Sequence, residues 1–171
     1  MQEHAIYTIG HGTRTADLFL ALLKEHGIEY LIDVRSKPFS RFNPQYNQDT
    51  LNAFLEANGV KYVFMGDELG GRPKDPLCYD NYNKVNYEIV KTRPFFLNGI
   101  ERLKKAYDNK SRVAIMCSES KPLECHRTRL ISVVLEGLTI PVQHIDEKGV
   151  LKNHTEMFND LSNQKSKNLF D

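Results

Sequence analysis

The sequence predicts an α/β fold: a single-domain, three-layer sandwich whose mostly parallel sheet has about five strands. Short apolar runs typical of buried strands alternate with amphipathic, helix-like segments along most of the chain, which indicates repeated βα units. The chain has 171 residues, a length that suits one domain with a sizeable core. Its hydrophobic content of 40% favours a folded chain over a disordered one. We therefore expect one domain over residues 1–161, followed by a polar C-terminal tail at 162–171.

Five apolar runs predict the strands of the sheet. Each contains Ile, Val or Tyr, which favour strands, and turn-forming residues follow most of the runs. Near-continuous apolar runs are expected where a parallel sheet is covered on both faces. In chain order the predicted strands are Ala5–Ile9, Tyr30–Val34, Val60–Phe64, Arg112–Met116 and Pro141–Ile145.

The segments between these runs predict the helices. Thr15 and Asn47 can cap the first two, and apolar residues at i,i+4 spacing then form a stripe on each helix. Pro94 can open a third helix, since proline is favoured at the first helical position. Residues 74–92 show no clear pattern. In chain order the predicted helices are 16–26, 48–58, 95–107, 123–138 and 153–161.

Composition excludes several classes of function. The formal net charge of +1 gives no reason to expect bulk attraction to nucleic acid or to membranes. No apolar run reaches the length of about 18 residues that a membrane span requires, and since the first residues lack a basic segment followed by an apolar one, we expect no secretory signal. Three cysteines in a chain of this length favour a reducing, cytoplasmic environment with free thiols. We expect a small anionic ligand, and no membrane association, cofactor or metal ion; the sequence does not specify the oligomeric state.

The segment from Cys117 to Arg127 is the most informative part of the chain. It follows the fourth predicted strand and leads into the helix predicted at 123–138, so two thiols, a carboxylate, an imidazole and a guanidinium share one strand-to-helix turn. In an open α/β sheet, ligands bind beyond the carboxyl ends of the strands. A helix N-terminus and nearby cations favour the thiolate, which is the nucleophilic form of cysteine. Cys117 is therefore a candidate nucleophile, and Cys125, His126 and Arg127 are candidate ligand-binding residues.

The same residues also fit other interpretations. Free cysteines often pack as small hydrophobic side chains without any reactivity. Glu119 can serve as a general acid or base, or it can hold Arg127 in place. Cys117 and Cys125 can form a disulfide that acts as a redox switch. The spacing argues against a zinc site, because the adjacent Cys125 and His126 point in different directions on a helix.

Polar residues also follow the first two predicted strands. His11 lies between two glycines, a turn expected to present its side chain rather than bury it, and a histidine there can carry a proton near pH 7. Asp33, within an apolar run, must be paired with Arg35 or with a backbone N–H group. Arg35 is also a candidate ligand-binding residue, because a guanidinium group binds phosphate or carboxylate through two parallel hydrogen bonds.

Cations outnumber acids in the loops at the expected strand ends. In a near-neutral chain this concentration favours an anionic ligand, although solvated loops can also simply be charged. Arg72, which follows the glycine pair in Leu69–Gly71, is a further candidate for binding that ligand. The cations are Arg14, Arg35, Lys37, Arg41, Arg72, Lys74, Lys121, Arg127 and Arg129, and the acids are Asp67, Glu68, Asp75, Glu119 and Glu124.

Seven short motifs together resemble the domain-of-unknown-function 488 (DUF488) family, in order and in approximate spacing. The motifs are Tyr7–His11, Asp33–Arg35, Asn43–Tyr46, Leu69–Gly71, Cys117–Glu119, Cys125–Arg127 and His144–Ile145. The resemblance implies a compact bacterial or archaeal α/β domain without a settled reaction, and it groups the candidate residues into one shared site. Gly12 departs from the serine often found at its position, and residues 77–92 match the family least, so substrate specificity is expected there.

These observations predict an enzyme that uses a thiol, in a cation-lined site, on a small anionic or nucleotide-like substrate. Cys117 is the expected nucleophile, His11 or Glu119 the expected proton carrier, and Arg35 and Arg127 the expected anion-binding groups. One alternative is a non-catalytic binding module for a phosphorylated metabolite or a nucleic-acid end. A second alternative is a thiol redox switch.

Overall fold

The structure, a computed structural model, describes residues 3–159 and contains one six-stranded sheet. The strand order across the sheet is β3-β2-β4-β1-β5-β6. The first five strands run parallel, which confirms the predicted α/β fold class and the five predicted strands to within a residue or two at each end. The strands are β1 (Ile6–Gly10), β2 (Tyr30–Asp33), β3 (Lys61–Phe64), β4 (Val113–Cys117), β5 (Val142–Ile145) and β6 (Leu151–Asn153).

The edge strand β6, which the sequence analysis did not predict, pairs antiparallel with β5. The two strands are joined by a tight turn in which the Asp146 carboxylate accepts hydrogen bonds from the backbone N–H groups of Lys148 and Val150. Gly149 adopts a left-handed φ of 81°, a conformation that glycine reaches without strain. With three residues and only one large apolar side chain, Leu151, the strand leaves too little pattern to detect.

Helices cover both faces of the sheet and complete the three layers. Side chains of β4 show the arrangement, since Val113 and Ile115 enter one hydrophobic cluster whereas Ala114 and Met116 enter the other. Helices α1 and α2 pack on the second cluster, and α5 and α6 on the first. The helices are α1 (Ala16–Glu25), α2 (Gln48–Ala57), α3 (Gly66–Leu69), α4 (Tyr87–Val90), α5 (Pro94–Asp108) and α6 (Val133–Gly137).

The helix predicted after the cysteine segment is not continuous. Pro122–Glu124 forms a short 3₁₀ turn, and Cys125 is extended, with φ −128° and ψ 149°. A π-helix over Arg127–Ser132 then leads directly into α6. The prediction of one helix over 123–138 is therefore wrong at its start, because the extended Cys125 delays the helix until the following residues. Single π-turns are frequent at functional sites.

The remaining segments are short and irregular. Residues 74–92 contain a 3₁₀ turn at Pro76–Cys78, an isolated bridge between Tyr79 and Val85, and α4. Residues 154–159 are helical, as expected for the last predicted helix, and the polar tail at 162–171 lies outside the described residues. Within 3–159, no helix is both long enough and apolar enough to cross a membrane.

The order of the strands brings three chain segments to one edge of the sheet. From β1 the chain moves across the sheet to β2 and β3, and after β4, which lies between β2 and β1, it moves the other way to β5. The carboxyl ends of β1, β2 and β4 therefore lie side by side, with Gly10 opposite Cys117 and Asp33 opposite Met116. This change of direction is where open α/β sheets bind ligands.

Candidate functional site

A cleft of about 930 Å³ opens at the carboxyl ends of β1, β2 and β4. Its size is in the range of small-molecule binding sites. Seven of the eight candidate residues line it: His11, Arg35, Arg72, Cys117, Glu119, Cys125 and His126. The eighth, Arg127, lies buried behind Cys117 with none of its surface exposed. The structure thus brings together all the residues that the sequence analysis grouped.

The floor of the cleft is set by backbone pairing between the ends of β1 and β4. The backbone N–H of His11 donates to the Cys117 carbonyl at 3.0 Å, and that of Gly12 donates to the Ser118 carbonyl at 3.0 Å. Gly10 has no space for a side chain, because a Cβ atom there would overlap the carbonyl oxygen of Glu119. The glycine therefore lets the loop after β4 approach the end of β1.

The two cysteines of the cleft are joined as a disulfide. Cys117 and Cys125 have Cα atoms 7.2 Å apart, slightly beyond the usual range of about 4.4–6.8 Å for disulfides, and both side chains are almost fully buried. The expectation of three free thiols therefore holds only for Cys78, which is buried elsewhere. The 3₁₀ turn at Pro122–Glu124 returns the chain toward β4, and this turn brings the second sulfur to the first.

Arg127 places a buried cation against Cys117. Its Nη1 donates to the Cys117 Sγ at 2.8 Å and to the Glu119 carbonyl oxygen at 2.6 Å, and its Nε donates to the Thr8 hydroxyl at 3.2 Å. Its Nη2 has no hydrogen-bond partner, and no carboxylate among residues 3–159 forms an ion pair with it. Burial lowers the pKa of Arg127 to about 9, so the group is still charged at neutral pH.

Glu119 has a different relation to Arg127 from the one considered in the sequence analysis. It holds the guanidinium through its main-chain carbonyl, whereas its side chain is exposed at the wall of the cleft. The Glu119 carboxylate can therefore face a ligand in the cleft. It does not lie at hydrogen-bond distance from the buried guanidinium of Arg127.

His11 is buried at the floor of the cleft, with 2% of its surface exposed, rather than presented to solvent as expected. Its ring stacks on Tyr46 at 4.2 Å between centroids, and Nδ1 donates to the Gly12 carbonyl oxygen at 2.8 Å. Because that carbonyl can only accept, the proton lies on Nδ1 and Nε2 is left as an acceptor, 3.5 Å from Nη1 of Arg35. Burial lowers the pKa of His11 to about 4, which makes the ring neutral at pH 7.

Arg35 is neutralised by Asp33, the pairing that the sequence analysis considered. The carboxylate accepts from Nε at 2.9 Å and from Nη2 at 2.7 Å, and both side chains are buried. The hydroxyl of Tyr62 also donates to Asp33, and Nη2 of Arg35 donates to the Tyr46 carbonyl. Most of the hydrogen-bonding capacity of Arg35 is thus used within the protein, and Nη1 is the part that faces the cleft and His11.

His126 stands beside the second thiol. Its Nε2 donates to the Val34 carbonyl oxygen at 3.1 Å, and in this tautomer Nδ1 is an acceptor 3.6 Å from the Cys125 Sγ; the Leu69 carbonyl also interacts with the ring. Burial lowers the pKa of His126 to about 4. Gly71 packs against the ring, since a Cβ atom at that position would lie 2.9 Å from Nδ1. In the reduced protein this nitrogen can therefore accept the proton of the Cys125 thiol.

Exposed cations surround the mouth of the cleft. Lys37, Arg72 and Lys74 line it, and of these Lys74 forms a long, exposed ion pair with Asp67, which is expected to contribute little. The acids on the walls are Glu119 and Glu124. Phe39, 70% exposed, stands at the rim, and Tyr79 and Tyr87 form part of the walls. The last two belong to the segment that the sequence analysis connected with specificity.

A buried polar chain behind the cleft was not anticipated. The Thr8 hydroxyl, which accepts from Arg127, lies 2.7 Å from Nδ1 of His144, and Nε2 of His144 lies 3.2 Å from Nδ1 of His154. Burial lowers the pKa of His144 to about 3 and also lowers that of His154. The available signal was the presence of Thr8 and His144 inside two apolar strands, because a buried polar side chain needs a partner.

Among residues 3–159, no group of three or more His, Cys, Asp or Glu side chains is arranged to hold a metal ion.

Comparison with known proteins found no match among curated proteins and none among solved structures. A comparison with protein families found one match, to the domain of unknown function DUF488, over residues 15–134. This span includes the ends of β2 and β4 and the whole cysteine segment, and it leaves out the motifs at His11 and His144. Because the match covers most of the chain, the protein belongs to the DUF488 family.

Proposed function

We propose that the protein is an enzyme that uses the thiolate of Cys117 as a nucleophile on a small anionic substrate. The observation that carries this proposal is the contact of 2.8 Å between the Cys117 sulfur and the buried guanidinium of Arg127. A buried charge without a counter-charge is costly. In the reduced protein, the thiolate of Cys117 supplies the negative charge that Arg127 otherwise lacks.

The position of Cys117 suits a nucleophile. It is the last residue of β4, at the floor of the cleft, and a cation in hydrogen-bond contact favours the thiolate over the thiol. The hydrogen bond is charge-assisted, which makes it stronger than a bond between neutral groups. Arg127 therefore activates the thiolate, rather than holding the substrate as the sequence analysis expected.

Substrate binding falls to the cations at the mouth of the cleft. Lys37 and Arg72 are exposed and line the cleft, whereas the charge of Arg35 is balanced by Asp33. A negatively charged group held at the mouth would leave the rest of a small molecule directed toward the sulfur at the floor. The cleft volume of about 930 Å³ accommodates molecules up to the size of a nucleotide.

His11 is the proposed proton carrier. Its ring is neutral at pH 7 because burial lowers its pKa to about 4, and Nε2 is the acceptor on the cleft side. A neutral imidazole can accept a proton from a bound substrate, and to do so Nε2 gives up its long contact of 3.5 Å with Nη1 of Arg35, since it has one lone pair. The exposed carboxylate of Glu119 is the second group that could carry the proton.

The proposal is tested by alkylating the reduced protein with iodoacetate and with iodoacetamide, two reagents that differ in charge. We expect Cys117 to favour the anionic reagent roughly fivefold more than free cysteine does, since an exposed cation contributes up to about 1 kcal/mol. Arg72→Met should lower only the iodoacetate rate, and Lys104→Met, which changes an exposed cation on α5, should alter neither rate. Site-specific rates are measured by mass spectrometry.

Two results of this experiment would reject the proposal. If Cys117 reacts no faster than an unactivated thiol with both reagents, it is not a nucleophile; anion binding without thiol chemistry would then correspond to the binding-module alternative. If Cys117 is reactive but shows no preference for the anionic reagent, the anionic substrate class is wrong.

The joined sulfurs favour a second candidate, a redox switch, for which mild oxidation would form the disulfide without any turnover.

A further inference from the structure

We propose that Cys125 is a resolving thiol, so that the cleft reduces small disulfides that carry carboxylate groups. This inference rests on the proposed function, because it requires Cys117 as the nucleophile. It adds the role of the second thiol, the class of substrate and the direction of electron flow.

The arrangement of the two thiols carries this inference. The sulfur of Cys125 is in contact with that of Cys117, so it can reach a covalent intermediate formed there. Each sulfur has a different side-chain partner: Nη1 of Arg127 for Cys117, and Nδ1 of His126 for Cys125, whose sulfur also accepts from the backbone N–H of Arg127 at 3.4 Å. A cation stabilises a thiolate before any reaction, whereas an acceptor nitrogen removes a proton during it. The two thiols are thus suited to different steps.

In the first step, the thiolate of Cys117 attacks one sulfur of a substrate disulfide, RS–SR. A bond forms between Cys117 Sγ and that sulfur, the substrate S–S bond breaks, and one RS⁻ leaves. The protein then carries a mixed disulfide, Cys117–S–SR, and no net oxidation has yet occurred, because one S–S bond has replaced another.

In the second step, the sulfur of Cys125 attacks the Sγ of Cys117 as its proton passes to Nδ1 of His126; the ring, with a pKa of about 4, holds this proton only in transit. A bond forms between the two protein sulfurs, the bond from Cys117 to SR breaks, and the second RS⁻ leaves with the proton from His126. The substrate has been reduced by two electrons to two thiols, and the protein pair has been oxidised to the disulfide that the structure contains. An external dithiol, itself oxidised to a disulfide, then returns the pair to the reduced form.

The shape and charge of the cleft point to the substrate class. Both sulfurs lie at the floor, and the exposed cations Lys37 and Arg72 lie at the mouth. A disulfide with a carboxylate at a short distance from its sulfur can contact both at once. The volume of about 930 Å³ exceeds what a simple oxyanion needs, and it leaves room for the substituents of such a molecule.

The test uses three small disulfides of similar length and different charge: dithiodipropionate, hydroxyethyl disulfide and cystamine. The reduced full-length protein should release two thiols from each molecule of dithiodipropionate and form the Cys117–Cys125 disulfide. We expect it to react roughly tenfold faster with this dianion than with the dication cystamine, and added salt should reduce the difference. The neutral disulfide should lie between them.

Three variants separate the steps. Cys125→Ser should release only one thiol and accumulate the mixed disulfide on Cys117, seen as a mass increase of one half of the substrate. Cys117→Ser should release none. Cys78→Ala is the matched control, because that buried thiol lies outside the cleft, and it should behave like the unchanged protein.

Two outcomes would overturn the inference. The resolving role fails if Cys125→Ser releases both thiols as fast as the unchanged protein does, and the substrate class fails if cystamine reacts as fast as dithiodipropionate. Neither outcome affects the alkylation of Cys117 by iodoacetate. If only the resolving role of Cys125 fails, the proposed function therefore still stands. If Cys117 is also unreactive toward iodoacetate, both the inference and the proposed function are wrong.

Discussion

At the scale of single residues, the site is dominated by charges and rings that burial has deprived of water. Arg127 is charged, fully buried, and bonded to a sulfur, a hydroxyl and a carbonyl rather than to a carboxylate. His11 and His126 are held neutral by burial, each with one nitrogen committed to a backbone carbonyl. Such arrangements lower the stability of the folded protein. They are common at functional sites, where function and stability compete.

The buried histidines predict how stability depends on pH. Burial lowers the pKa values of His11 and His126 to about 4 and that of His144 to about 3, from 6.5 in the unfolded chain. Below pH 6.5 the unfolded chain therefore binds more protons than the folded one, so the free energy of unfolding falls as the pH decreases toward 4. Each buried ring lowers the free energy of unfolding by up to about 1.4 kcal/mol for every pH unit of acidification between pH 6.5 and pH 4.

Urea denaturation at several pH values between 7.5 and 4.5 measures this dependence. We expect a steep loss of stability below pH 6.5, and a shallower loss in His144→Gln, because one of the shifted groups has been removed. A free energy of unfolding that stays constant from pH 7 to pH 5 would contradict the description of these rings as buried and neutral.

At the scale of elements, the site depends on the close approach of loops to strand ends. The loop after β4 crosses the end of β1 at Gly10, and the loop after α3 reaches His126 through Gly71. The π-helix at Arg127–Ser132 begins two residues after the second cysteine, with His126 as its N-cap. Its position allows the Arg127 side chain to run back behind β4, toward the Cys117 sulfur and Thr8. These contacts fix the site more strictly than the helices around it.

The close approach at Gly10 gives a test at this scale. Gly10→Ala should destabilise the protein by about 1–3 kcal/mol, because its methyl group would overlap the Glu119 carbonyl and force the loop to move. Gly137→Ala is the matched control: nothing lies within 4 Å of a Cβ atom there, and alanine favours a helix. The free energy of unfolding of both variants is measured by chemical denaturation. If Gly10→Ala is as stable as Gly137→Ala, the loop after β4 does not pack against Gly10.

At the scale of the whole molecule, the general fold followed from sequence pattern because burial on both faces of a parallel sheet leaves a strong signal. The alternation of strand and helix patterns predicted five strands, and the polar residues after three of them predicted the edge where the site lies. The side-chain contacts within the site could not be predicted from the sequence. Sequence spacing did not specify that the turn at Pro122–Glu124 returns Cys125 to Cys117, nor that Glu119 contacts Arg127 through its carbonyl.

Depth within the molecule was also difficult to predict from local sequence. Gly10 and Gly12 around His11 indicated an exposed turn, but the loop after β4 covers it, so the ring is almost fully buried. His144 is isolated in sequence, and its connection to the site passes through Thr8, which is 136 residues away in the chain. Such long-range contacts depend on strand order, which a single sequence does not specify.

The most direct measurement is the pH dependence of iodoacetamide labelling at Cys117 in the reduced protein. We predict an apparent pKa well below the value of about 8.5 for free cysteine, because the guanidinium of Arg127 stabilises the thiolate. Arg127→Met should raise that apparent pKa, and Arg127→Lys, which keeps the charge, should raise it less. An apparent pKa at or above the free value in the unchanged protein would contradict the central claim that Arg127 makes Cys117 a nucleophile.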